Sequence, residues 1–299
     1  MPERLNWDRE GRSWPNRDAS RFVEAAGLTW HVQEMGEAEE GRPLLLLVHG
    51  TGATTHSWGA IMPILARHFC VVAMDLPGHG FTDKPAPERL SMPGMAKDLA
   101  ALLAVLDIEP EMVVGHSAGA AILMRMCLDG LAHPSLLVSL NGALLPLSGM
   151  AGQFFSPVAK VMARSTLSAH FFSWSASVDR RSVTRLIDGT GSKLPRRDIE
   201  WYELLARNTG HVWAAINMMA NWELGPLERD MAKLRTPLVL VAAGEDRSIS
   251  PQTAFRVKEI IPAAEVEYVT GLGHLAHEED PQVIADLFLR LARTHAILG

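Results

Sequence analysis

One serine, one acid and one histidine in this 299-residue chain stand in an order that could cut an acyl bond. Ser117 lies in VVGHSAGAA, residues 113–121, a Gly-x-Ser-x-Gly pentapeptide between a β-branched run and small residues. The pentapeptide alone is weak evidence, and its setting adds most of the weight. A strand before it and a helix after it put Ser117 on a sharp elbow, where Gly115 and Gly119 let the two elements pass closely. A serine hydroxyl is a poor nucleophile until a neighbouring base takes its proton. A histidine base in turn needs an acid to fix its tautomer. VAAGEDRSISP places Asp246 just past a candidate strand, and GLGHLAHEEDP places His274 just past the next. Ser117 would attack, His274 would act as base and then acid, and Asp246 would orient it. The backbone N–H groups of Ala118 and of Thr51, in HGTGA, would hold the oxyanion.

Other residues compete for these roles. Glu245 is the alternative acid; Asp246 is preferred because Asp-x-x-x-x-Pro suits an acid loop of this kind. Asn141, in SLNGA, sits at another strand end but, as an amide, cannot stabilise an imidazolium. His277 follows His274 by three residues and reads as a loop-ordering side chain. His116 packs or lines a pocket, and His49 and His79, in glycine turns, read as structural.

The elements that must position these residues alternate. RPLLLLVHG, CVVAMDLPGHG, EMVVG and SLLVSLNG are short apolar runs of the kind that form strands buried on both faces. HSWGAIMPILARHF, SMPGMAKDLAALLAVLDI and residues 118–130 have helical spacing, with Ser91 as N-cap of the second. RFVEAAGLTWHVQEMG reads as two strands around Ala26-Gly27. PLVLVAAGED and EVEYVTG are further strands, with helices near 251–262 and from 281. This pattern predicts an α/β fold with a mostly parallel, doubly wound sheet. The alternation stops from about 146 to 225, where the pattern is helical and irregular. The expected division is a core of residues 1–145 and 226–299 with residues 146–225 inserted as a helical cap. Its Met and aromatic residues include Phe154, Phe155, Trp213, Met218 and Trp222. With His116, these are candidates for an apolar pocket over Ser117.

Composition narrows the classes further. The net charge is −6 and no basic stripe is present, which argues against nucleic acid and against docking on anionic lipid. The N-terminal stretch lacks an apolar core, and no run reaches the ~18 apolar residues of a membrane span. A soluble, cytoplasmic protein is expected, with Cys70 and Cys127 as buried free thiols.

Together these residues resemble the α/β-hydrolase superfamily. The stretches WPNRDASRFVEAAGLTWHVQ, LLLLVHGTGATTHSW, DLPGHGFT, VVGHSAGAA, LNGALLPLSG, FFSPVAK, NMMANWEL and GLGHLAHEE narrow the resemblance to the magnesium-chelatase accessory family of bacteriochlorophyll biosynthesis. WPNRDAS and MMANW are its specific parts. The resemblance implies the α/β-hydrolase fold and a role near magnesium insertion, with a tetrapyrrole as small-molecule ligand and chelatase subunits as partners. It leaves two readings open: a hydrolase of an unknown ester, or a non-catalytic porphyrin binder or chelatase partner. No Gly-x-x-x-x-Gly-Lys-Ser/Thr phosphate loop is present, so the chain is not the ATP-driven motor. No metal-type spacing stands out, and neither a bound metal nor a cofactor is expected. Membrane contact, through residues 151–174, would be peripheral at most.

Overall fold

A computed structural model describes residues 4–36, 42–146, 168–170, 173 and 181–299. Eight strands form one sheet: β1 (Ser20–Ala25), β2 (Leu28–Met35), β3 (Leu44–Val48), β4 (Cys70–Met74), β5 (Met112–His116), β6 (Leu136–Leu140), β7 (Leu238–Ala243) and β8 (Glu265–Val269). Their order is β1-β2-β4-β3-β5-β6-β7-β8. β1 and β2 pair antiparallel through a tight turn in which Ala26 and Gly27 both have positive φ. β2 joins β4 antiparallel, and every later pairing is parallel.

The continuous apolar runs follow from burial on both faces. Along β3, Leu46 and Val48 enter one core, and Leu45 and Leu47 enter the other. In β5, Val113 faces the first and Met112 and Val114 the second. Each such leucine, fully withdrawn from water, contributes about 2 kcal/mol before the entropy of ordering is counted. Helices α1 (Met92–Leu106) and α2 (Ala118–Leu128) cover the first face.

Between β6 and β7 the described residues hold α3 (Arg181–Gly189), α4 (Arg196–Arg207), α5 (Thr209–Ala220) and a short helix, Gly225–Asp230. α3 and α4 close a small cluster of Val183, Ile187 and Ile199 around Leu275. α5 sets Trp213, Ala214 and Met218 into the first core. After β7, α6 (Gln252–Ile260) packs on that same face through Val257, while α7 (Pro281–Thr294) covers the second through Ile284, Phe288 and Leu291.

Two local expectations are corrected. Residues 56–69 do not form one helix: a 3₁₀ turn, Thr55–Trp58, is followed by a single helical turn, Met62–Leu65. Gly59 weakens a continuous helix there, and Pro63 removes a backbone donor. Ser91 occupies the N-cap position of α1, but its hydroxyl donates to the Glu88 carbonyl instead of capping. Pro93 has already removed one of the N–H groups that a cap would serve. Cys70 and Cys127 form no disulfide and are half-buried rather than buried.

Candidate active site

β5 passes into α2 through a single residue, Ser117, at φ 51° and ψ −115°. A non-glycine residue held there costs on the order of 1–3 kcal/mol and persists only when its surroundings impose it. They do so here: the Ser117 N–H donates to the Leu140 carbonyl at 3.0 Å. Its carbonyl accepts from the N–H of Ala143 at 3.0 Å and of Ala120 at 3.2 Å. The flanking glycines are required by close approach. A Cβ on Gly115 would lie 2.3 Å from the Ala120 nitrogen, and one on Gly119 would lie 2.2 Å from the Val48 carbonyl oxygen. Because α2 starts at Ala118, that N–H has no acceptor within the helix and lies at its positive end.

Asp246 and His274 follow the ends of β7 and β8 and are both buried. The His274 Nδ1–H donates to Asp246 Oδ2 at 2.7 Å. Asp246 Oδ1 accepts the N–H groups of Ser248 at 2.7 Å and Ile249 at 2.8 Å. The carboxylate is therefore fixed by its own loop and turned to the imidazole, which keeps the Nε2 lone pair for another donor. Glu245 is exposed instead, with its backbone N–H on the Leu272 carbonyl. His277 turns away: its Nε2–H donates to Ser57 Oγ at 2.8 Å.

Asn141, discounted as an acid from the sequence, has a structural role that the sequence did not show. Its Nδ2 donates to the carbonyls of His274 at 2.9 Å and Gly273 at 3.1 Å, and its Oδ1 accepts the Ala243 N–H at 2.8 Å. The same His274 carbonyl accepts from His116 Nε2 at 2.9 Å. One amide thus ties the end of β6 to β7 and to the histidine loop. Replacing Asn141 by alanine is expected to cost about 2–4 kcal/mol, because a buried N–H and a buried carbonyl each lose a partner. Urea denaturation of the variant measures this, and an unchanged midpoint would refute the role.

The loop after β3 lies against Ser117: a Cβ on Gly50 would be 2.9 Å from Ser117 Cβ. His49 braces it, donating from Nδ1 to the Gly50 carbonyl and accepting the Leu76 N–H at Nε2. α5 holds it from the other side. Thr51 Oγ1 donates to Met218 Sδ at 3.3 Å, and His211 Nε2 donates to the Gly52 carbonyl at 3.1 Å. His211 Nδ1 also accepts the Gly80 N–H.

Among the candidate pocket residues, His116 and Met218 are fully packed, Trp213 joins the first core and Trp222 packs against it. Phe154 and Phe155 lie outside the described residues. Among the described residues no group of three or more His, Cys, Asp or Glu side chains is disposed to hold a metal ion. No helix of the described residues is long and apolar enough to cross a membrane.

Comparison with known proteins gives the family. The Magnesium-chelatase 30 kDa subunit of Rhodobacter capsulatus is 34% identical over 266 residues, covering 89% of this chain and 92% of that protein. Among solved structures, an alpha/beta hydrolase fold protein from Burkholderia ambifaria superposes with a TM-score of 0.75 at 23% identity, covering 97% of this chain and all of that one. The epoxide hydrolase CorEH gives 0.74 at 19% identity, over 92% of this chain and 98% of its own. At those identities the two structures speak for the fold alone. The profile of the alpha/beta hydrolase family matches residues 45–287, and the chain belongs to that family.

Proposed function

We propose that this protein is a serine hydrolase that cleaves an ester or related acyl bond in support of magnesium chelatase. The observation that carries this reading is the 2.7 Å bond between His274 and Asp246, together with Ser117 at a positive-φ elbow at the end of β5 in the same sheet. Ser117 Oγ attacks the acyl carbon and gives its proton to His274 Nε2. The imidazolium is stabilised by Asp246 and returns the proton to the leaving group. Water then repeats the sequence on the acyl-serine. The N–H groups of Ala118 and Thr51 carry the oxyanion. The helices between β6 and β7 act as a cap over this centre.

The test is labelling by a fluorophosphonate, which reacts with an activated serine whatever its natural substrate. Wild type is expected to label, and S117A and H274A are not. Equal labelling of S117A would overturn the reading.

A second reading is favoured by the similarity to a chelatase subunit over nine-tenths of the chain. Here the protein binds a porphyrin or chelatase subunits in bacteriochlorophyll biosynthesis without catalysis. It expects protoporphyrin binding, or stimulation of chelatase, that survives S117A. Loss of both in a folded S117A protein would remove it.

A further inference from the structure

A second set of buried polar side chains lies apart from Ser117, His274 and Asp246. Glu278 is buried, and its Oε1 accepts two hydroxyl hydrogen bonds, from Ser57 at 2.5 Å and Tyr202 at 2.6 Å. Both land on one oxygen, which leaves Oε2 for an occupant. Glu278 lines a pocket of about 470 Å³ together with His56, Pro15 and Trp201. That size suits a small organic molecule. Pro15 belongs to the WPNRDAS stretch, and Trp14 anchors the wall through Nε1–H to Thr55 Oγ1 at 3.0 Å and an edge contact with Trp201.

His56 lines the wall beside Glu278. It is only 6% exposed, its Nδ1 is engaged by Thr54 Oγ1 at 2.5 Å, and its Nε2 has no partner among the described residues. Burial pushes its pKa down to about 3, so the ring is neutral. At the charged rim Arg197 pairs with Asp198. That rim cation is thus already engaged by an acid, and Glu278 is left over.

We propose that this pocket binds a primary ammonium group, with Glu278 Oε2 accepting an N–H donor and Trp201 packing on its carbon body. A buried carboxyl with one oxygen unengaged and an aromatic wall match a cation with N–H donors and an apolar stem.

Occupancy moves a proton. Burial pushes the Glu278 pKa up to about 8, helped by the nearby Asp198 and Glu279 carboxylates and opposed by the Ser57 and Tyr202 hydrogen bonds. His277, 3.8 Å away, is neutral and does not offset this. At pH 7 the carboxyl is mostly protonated, and an arriving ammonium favours the carboxylate and releases that proton.

The test is calorimetry of the full chain with benzylamine, benzyl alcohol and benzoate as probes. Benzylamine is expected to bind at least tenfold more tightly than either control. Its observed heat at pH 7 should differ between phosphate and Tris buffers as a proton is released. E278Q should lose the preference and the buffer dependence, while S117A keeps both. W201A, which leaves the carboxyl in place, should weaken benzylamine and keep the proton release. Benzylamine binding no tighter than benzyl alcohol, or retained by a folded E278Q, overturns the proposal. The outcome does not depend on whether Ser117 is a nucleophile.

Discussion

Alanine at Ser117 is expected to abolish fluorophosphonate labelling and to lower kcat on any ester turned over by about 10⁶-fold, the scale seen when a triad serine is removed. H274A should fall as far, because nucleophile and base act as one unit. Asp246→Asn is the more informative change, with an expected loss of about 10⁴-fold. Oδ1 can still accept the Ser248 and Ile249 N–H groups, so the loop stays in place. The amide nitrogen then faces His274 Nδ1 as a donor, which puts the ring proton on Nε2. In that tautomer Nε2 cannot take a proton from serine. Thermal melts within a few degrees of wild type would show that chemistry, not folding, was lost. Full activity of Asp246→Asn would exclude Asp246 as the orienting acid.

Acidification is expected to destabilise the fold by several kcal/mol between pH 7 and pH 5. Burial lowers the pKa of His56 and His277 to about 3 and of His211 to about 4, and lowers those of His49, His79 and His116 as well. An unfolded histidine titrates near 6.5. Between that value and the folded value, the unfolded chain binds more protons, so stability rises with pH. The contribution is present above about pH 6.5 and is lost as pH falls towards 4. His56, His211 and His277 are each worth about 2 kcal/mol over the two units from pH 7 to 5. Glu278 acts in the opposite direction, since a carboxyl raised to about 8 adds stability as pH falls. It offsets roughly one histidine. Urea midpoints at the two pH values measure the difference, and His211→Asn should reduce it by one histidine's share. Equal midpoints would mean that the buried rings accept protons without unfolding.

What could be read before the fold was known is what the chain writes locally. The runs LLLLV and CVVAM have no polar alternation because both faces of β3 and β4 are covered, and that is visible residue by residue. Ser117, Asp246 and His274 each follow such a run or a turn signal, so their positions at strand ends could be inferred from their immediate neighbours. Asn141 could be found at a strand end in the same way, but not its work. Its partners Ala243, Gly273 and His274 are 102, 132 and 133 residues away, and only the sheet order brings them together. Glu278, Ser57 and Tyr202 were invisible for the same reason: a carboxylate beside His277 reads as an ordinary helix acid until α4 and the turn at 55–58 close over it. Ser91 shows the reverse failure, where a correct local signal lost to the neighbouring Pro93.

The two anchors of α5 on the loop after β3 sit seven residues apart, at His211 and Met218, which is two turns along one face of the helix. Helix and loop therefore form a single jaw. A bulky ligand that lifted α5 would carry Thr51 away from Ser117 in the same stroke and disarm the centre it sought to reach. On the proposed reading, a route that leaves α5 seated keeps admission and chemistry compatible.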